Sequence, residues 1–302
     1  CALPICSLSP DQRAVRAAVD VLVGAGHDEV YTLPLLAPAD LERVAAPLTG
    51  LIEVENPLRA EESVLRPALL PGILRAVAHN AAHGEGDVAL FEVGTVFGPP
   101  ATGGVLPDER RHLAFVRAGM RREAPHGPDR PVGVYDLTAV LEALRRELRI
   151  ADLVLVPARP AGFHPGRAAE VVVDGTVVGR LGEISGSVLA ALGVAGPVVA
   201  AELDLGALIR ARRADRAMRP VSRFPASTID LAFVVADTVS AGALADTLRD
   251  ADPLVERVAI FDVFRSDALG AGVVSLAISV RLRALDRTLT EDDRSEEHTS
   301  EL

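Results

Sequence analysis

His79 and His83 lie four residues apart in a stretch of helical periodicity, the spacing at which two imidazoles on one helix face can share a metal ion. A zincin carries a glutamate directly after its first histidine. Here Asn80 stands in that place and no third ligand is evident, so two solvated or capping histidines near a helix end are the competing reading. His164, in Phe163-His164-Pro165-Gly166-Arg167, either contacts a ligand or shapes the turn at Pro165-Gly166. Glu61-Glu62 and Asp292-Asp293 are adjacent acids without a partner base, as expected of solvated surface. Arg210, Arg212, Arg213, Arg216 and Arg219 face one acid, Asp215, and form either a solvated linker helix or a phosphate-facing stripe. Phe261 and Phe264 are three apart on an expected strand, so they should face opposite sides. One then belongs to the core and the other is free to stack on a base, with Phe264, next to Arg265, the better candidate. No Gly-x-Gly-x-x-Gly or P-loop pattern offers a nucleotide cradle, and Cys1 and Cys6 make neither a disulfide framework nor a metal site.

The elements that must carry these residues follow from periodicity and caps. Ser9-Pro10-Asp11-Gln12 is a helix start with a capping box, followed by Val15, Val19 and Leu22 on one face and Gly24 or Gly26 at the end. Residues 29–36 read as a strand. Pro71 opens a second helix with Ile73, Leu74, Val77, Ala78 and Ala81 on its buried side, and strands follow at 87–97 and 112–118. Residues 119–131 read as a loop, and Asp136 as the cap of a helix with the apolar stripe Leu137, Val140, Leu141, Leu144 and Leu148. Asp174-Gly175 marks a two-residue hairpin turn between 170–173 and 176–181. From Arg223 the pattern restarts as strand 229–235, helix 240–249 and two strands at 254–265 and 273–285, with a further helix beginning at Thr290. This βαββ order matches a split βαβ, ferredoxin-like unit.

At 302 residues, the chain has room for two domains, and nearly half of it is apolar. No apolar run approaches the roughly 20 residues needed to span a bilayer, and the first ten residues lack a secretory signal, so a cytoplasmic protein is expected. The net charge of −11 argues against a generic nucleic-acid binder. There is no lysine; every Lys/Arg position is arginine, which fits a GC-rich codon supply. The ends "CALPI" and "RSEEHTSEL" break with the composition of the body and resemble translated sequencing-adapter DNA, leaving 7–293 as the expected native stretch, open at both ends.

Several motifs in one order resemble the β subunit of bacterial phenylalanyl-tRNA synthetase, over nearly all of 7–293. "ENPLRAEESVLRPALLPGILRAVAHN" (55–80), "DVALFEVGTVF" (87–97), "VYDLTAVLEAL" (134–144) and "FHPGRAAEV" (163–171) are similar to its catalytic-like module. "SRFPASTIDLAFVV" (222–235), "FDVFR" (261–265) and "RALDRTLT" (283–290) are similar to its anticodon-binding domain. Ile229 stands where the family commonly has arginine, and Ile184-Ser185-Gly186 where a His-Pro pair is usual.

The resemblance implies an α+β fold: a class II synthetase-like module, an antiparallel sheet with helices, at 7–208. A basic linker at 209–221 follows, then a truncated ferredoxin-fold anticodon-binding domain at 222–293. A class II enzyme supplies Arg-x-Glu just past the strand at 90–97; here that strand runs into Gly98-Pro99-Pro100, so no adenylation is expected of this chain. ATP and Mg²⁺ are implied only for the holoenzyme, on its α subunit. Partners implied are that α subunit, in an α2β2 assembly, and tRNA(Phe), with Arg223, Phe264, Arg265, Arg281, Arg283, Arg212 and Arg216 as candidate RNA contacts. A stand-alone RNA-binding or scaffold protein built from the same modules is the alternative. A free-standing class II-like ligase is opposed by the missing Arg-x-Glu.

Overall fold

The computed structural model describes residues 7–100, 104–122, 126–213 and 221–290, and the chain divides into two compact units, Cys1–Arg216 and Ala217–Leu302. Among the described residues, no helix is long and apolar enough to cross a membrane.

The large unit is built on a seven-stranded sheet ordered β1-β4-β5-β11-β10-β9-β8. These strands are β1 (Asp28–Glu29), β4 (Ala89–Gly98), β5 (Asp108–Ala118), β8 (Leu153–Pro157), β9 (Phe163–Val173), β10 (Thr176–Ile184) and β11 (Val198–Asp204). Only the β1–β4 pair is parallel. Helices α1 (Pro10–Gly24), α4 (Val134–Glu147) and α6 (Leu205–Arg210) pack on one face, over a core containing Leu22, Phe91, Phe115, Leu137 and Leu144. On part of the other face lie α3 (Leu70–Ala82) and α5 (Gly186–Leu192), with Ile73, Leu74, Val116 and Ala200 between the layers. A short helix α2 (Pro38–Arg43) joins the two-stranded sheet of β2 (Leu35–Leu36) and β3 (Val64–Leu65) in a satellite cluster.

The local signals act as physics requires. Ser9 Oγ accepts from Gln12 N at 3.1 Å while Gln12 Oε1 accepts from Ser9 N at 2.9 Å, which satisfies two free amides at the start of α1. Asp174 (φ 48°) and Gly175 (φ 75°) both adopt the left-handed conformation of a two-residue hairpin turn between β9 and β10.

Three expectations are corrected. Residues 29–36 are not one strand. The chain leaves the large sheet after Glu29 and re-enters pairing at Leu35 in a different sheet, since Pro34 has no amide to donate and Thr32 bonds Glu92 through its side chain. The expected loop 119–131 carries a small ribbon of β6 (Met120–Arg122) and β7 (Asp129–Pro131). Asp136 is not the N-cap of α4. It lies in the first turn and reaches back to the amide of Gly133 at 2.9 Å, held also by Arg130 and Arg121. Burial alone would raise its pKa, but these donors hold the carboxyl well below the usual range.

The small unit has the expected βαββ order: β12 (Ser227–Ala236), α7 (Ala241–Ala251), β13 (Val255–Phe264) and β14 (Val273–Leu282), with strand order β12-β14-β13. Ser240 Oγ caps α7 by accepting from Ala243 N. The core lies between α7 and one face of the sheet: Leu248 meets Val274, Leu276, Ile278 and Val280, flanked by Ile229, Leu231, Phe233 and Val235. Ile229 is thus half-buried against this core.

Candidate nucleic-acid interface

Among the described residues of the small unit, no helix covers the other face of its sheet: α7 packs on one side and β12 alternates strictly, with Thr228, Asp230, Ala232 and Val234 exposed. Opposite partners in an antiparallel sheet share a face. On this basis Arg281, Ser279, Ala277 and Ser275 of β14 lie on the open side with β12's exposed residues. Two irregularities in β13 extend it. Register shifts between Val255 and Arg257, and between Ile260 and Asp262, mark residues 256 and 261 as bulged. Each inserted residue changes the strand's parity, so Glu256 and Arg257 both fall on the open face, as do Phe261 and Asp262.

That overturns the expectation for the two phenylalanines. Because Phe261 is itself the extra residue and shares a face with Asp262, Phe264, opposite Ser275, lies on the side of Phe261. Neither is core: they are 59% and 55% exposed.

The candidate residues divide between the two ends of this face. At one end stand Arg281, Arg283 and the unassigned Arg257, opposite Arg281. The entry to β12 is pinned to this end by Ser222 Oγ donating to Ala284 O at 2.7 Å, which brings exposed Arg223 alongside. Glu256 serves two of these arginines, 2.7 Å from Arg281 Nε and 3.3 Å from Arg283 Nε; the latter is enclosed without hydrogen-bond alignment. At the other end are Phe264 and Arg265, the latter bound to Asp237. Six residue-to-residue steps along β14 lead from Ser275 to Arg281, about 20 Å at ~3.3 Å per step. Asp230 and Asp262 lie between, so the face is basic at one end and apolar at the other.

The arginine run of the large unit is not one exposed helix. Helix α6 ends at Arg210, Arg212 is half-buried with an enclosed, unpartnered Nε, and Arg213 reaches Asp152 (3.2 Å) and Asp174 (2.8 Å). Arg216 lies outside the described residues.

The large unit holds a second polar constellation that sequence reasoning missed. A row of paired residues, Glu92, Ala114, Glu202, Arg180 and Glu170, crosses β4, β5, β11, β10 and β9 on the face that α3 and α5 leave partly open. Arg66 Nη1 binds Glu92 Oε1 at 2.6 Å, and Thr32 Oγ1 binds Oε2 at 2.6 Å. Glu202 accepts from Leu69 N (3.0 Å), Leu70 N (3.3 Å) and His112 Nδ1 (2.8 Å). Burial opposes its charge, yet His112, Arg180 and the Leu69 amide outweigh that and lower its pKa. Beside it a depression of about 340 Å³ is lined by His112, Arg180, Glu170 and Arg110 among others, with Arg180 5.8 Å over the ring of Phe163.

The remaining candidates are local. The rings of His79 and His83 lie 4.3 Å apart, but His83 Nδ1 is engaged with His79 O at 2.7 Å. His164 Nδ1 accepts from Gly166 N at 3.1 Å, the turn role. Glu61 and Glu62 lie in a 3-10 turn, and Asp292 and Asp293 are outside the described residues. Among the described residues, no three His, Cys, Asp or Glu side chains converge as a metal site.

Comparison with known proteins agrees with this architecture. Residues 2–205 match the family described as the phenylalanyl tRNA synthetase beta chain CLM domain, and residues 222–300 match the ferredoxin-fold anticodon binding domain. The chain is 36% identical over 319 residues to the phenylalanine–tRNA ligase beta subunit of Streptomyces avermitilis, covering 95% of this chain and 38% of that protein. It is 33% identical over 302 residues to that of Syntrophotalea carbinolica, covering 97% and 37%. It therefore spans under two fifths of the length of these relatives. The pyrrolysyl-tRNA synthetase of Desulfitobacterium hafniense shares the fold, in two solved structures. One has a TM-score of 0.52 at 16% identity over 66% of both chains, the other 0.53 at 15% over 67% and 69%. The chain belongs to the phenylalanyl-tRNA synthetase β chain family.

Proposed function

We propose that this chain is the tRNA-binding and partner-binding part of a cytoplasmic phenylalanine–tRNA ligase, supporting ATP-dependent attachment of phenylalanine to tRNA(Phe). The observation that carries the reading is the open face of β12-β14-β13, on which two bulges present Arg257 and Phe261 in addition to Arg281 and Phe264. Exposed aromatics on a sheet stack on unpaired bases, and arginines at its edge take phosphates. RNA contact is assigned to Phe264, Arg281, Arg283 and Arg223. Arg265 contributes through its pair with Asp237, while half-buried Arg212 is the least suited.

The large unit is the docking body for the α subunit. Val23, Tyr31 and Leu33, on α1 and the segment after β1, are 57%, 87% and 61% exposed, a set of apolar side chains suited to a second chain. Chemistry belongs to that partner, where ATP and Mg²⁺ act. On the equivalent face here, Glu92 and Glu202 are committed to protein donors, so their carboxylates do not suit a magnesium site. The test is binding of the 302-residue chain to tRNA(Phe) and to its α subunit, with phenylalanine-dependent ATP–pyrophosphate exchange assayed in parallel. Binding of both without exchange by this chain alone supports the reading; exchange without α subunit refutes it.

A further inference from the structure

The basic end of the open face contains one carboxylate whose position is unusual. Glu256 is the extra residue of the first β13 bulge, and it shares the open side with Arg257, which strict alternation from Val255 would have turned to the helix-covered side. Extruded, it lies between two arginines of the neighbouring strand end, 2.7 Å from Arg281 and 3.3 Å from Arg283, and beside Arg257, which has no ion pair among the described residues. Asp252, before the strand, is occupied at the turn, accepting from Leu254 N at 2.7 Å. Glu256 is 40% exposed, so an approaching phosphate meets it directly.

We infer that Glu256 is an internal competitor for RNA: it occupies Arg281 and Arg283 and must be displaced by a phosphate. The inference rests on the tRNA-binding reading above. An arginine cluster without a carboxylate binds any polyanion, because counterion release is indifferent to sequence. Glu256 imposes the same exchange on every RNA that uses Arg281 and Arg283, so it lowers affinity without changing the ratio between RNAs, and discrimination is left to the contacts at Phe261 and Phe264. As an exposed pair, it lowers affinity about two- to five-fold.

The experiment measures affinity of the 302-residue chain for tRNA(Phe) and for a non-cognate tRNA, each over a series of salt concentrations. Glu256→Gln should tighten binding of both RNAs about two- to five-fold. It should also steepen the salt dependence by ~0.7 in the slope of log K against log salt, one added phosphate contact on a single strand. Glu256→Asp, which keeps the charge, should stay near wild type. Asp246→Asn on α7 makes the same charge change outside the open face, where Asp246 pairs with Arg249, and should move neither quantity. If Glu256→Gln and Asp246→Asn behave alike, or Glu256→Gln weakens both RNAs, the inference is overturned while tRNA binding stands. Absence of tRNA binding by the wild-type chain would overturn both.

Discussion

Arg66 is the residue whose loss should be felt most widely in the large unit. Its side chain is 6% exposed and that of its partner Glu92 is 1% exposed. Besides the 2.6 Å ion pair, Arg66 donates to Thr95 O at 2.8 Å and to Thr32 O at 3.2 Å, tying the segment between β1 and β2 to β4. Arg66→Leu would leave Glu92 buried with Thr32 Oγ1 as its remaining donor and would strip two carbonyls of theirs. Breaking a buried pair by removing one member costs about 3–5 kcal/mol, a large share of the ~5–15 kcal/mol that stabilises a domain. Replacing both, as Arg66→Leu with Glu92→Leu, should cost less than the single change, since no charge is then stranded. Gly94 belongs to the same device: a Cβ there would collide with the Arg66 guanidinium and come within 3.0 Å of Leu69. The assay is urea unfolding, with the large unit's transition followed by hydrogen exchange at the amides of Leu113 to Val116. A single-variant loss below ~1 kcal/mol, or a double variant no better than the single, would refute the reasoning.

Three further outcomes follow from the geometry. His27 is 3% exposed with neither ring nitrogen hydrogen-bonded, and burial together with the Arg117 charge lowers its pKa from 6.5 to about 4. Its folded pKa lies below the unfolded one, so the stability it confers is complete above pH 6.5 and is lost as pH falls towards 4. The loss is on the order of 3 kcal/mol at 1.36 kcal/mol per unit, and His27→Leu should flatten that limb of the pH–stability curve. Gly179→Ala would push a Cβ into the backbone at Glu202 and Leu203, within 2.9 Å of Leu203 Cα, and should cost about 1–3 kcal/mol by thermal melting. Arg257→Gln should weaken binding of all tRNAs alike and lower the salt slope by ~0.7, whereas Phe264→Ala should lose about 1–3 kcal/mol for tRNA(Phe) with the slope unchanged.

What the sequence discloses depends on how local the cause is. The Ser9–Gln12 capping box and the Asp174-Gly175 turn are complete within a few residues, and both stand as read. Strand β11 escapes a periodicity reading because Val198 to Leu203 are buried on both faces, leaving no alternation to detect. Glu202 and His112 are 90 residues apart, and only the β5–β11 pairing brings them together. The bulges of β13 are invisible without the partner strand, since an extruded residue is defined by what it fails to pair with. For that reason Phe261 and Phe264 read as facing opposite sides, although the chain presents both on one face. The first bulge likewise brings Arg257 to the face of Arg281, a placement that spacing along the chain does not show.

The central claim is that the open face of the small unit's sheet receives the anticodon of tRNA(Phe). It is tested most directly by measuring the affinity of the 302-residue chain for tRNA(Phe) and for the same tRNA with its three anticodon bases replaced. Wild type is compared with Arg281→Gln and Phe264→Ala. The account predicts that wild type prefers the native anticodon, that Phe264→Ala abolishes most of that preference, and that Arg281→Gln weakens both RNAs. Equal affinity for the two RNAs in wild type, a preference that survives Phe264→Ala unchanged, or unchanged affinities in Arg281→Gln, would contradict it.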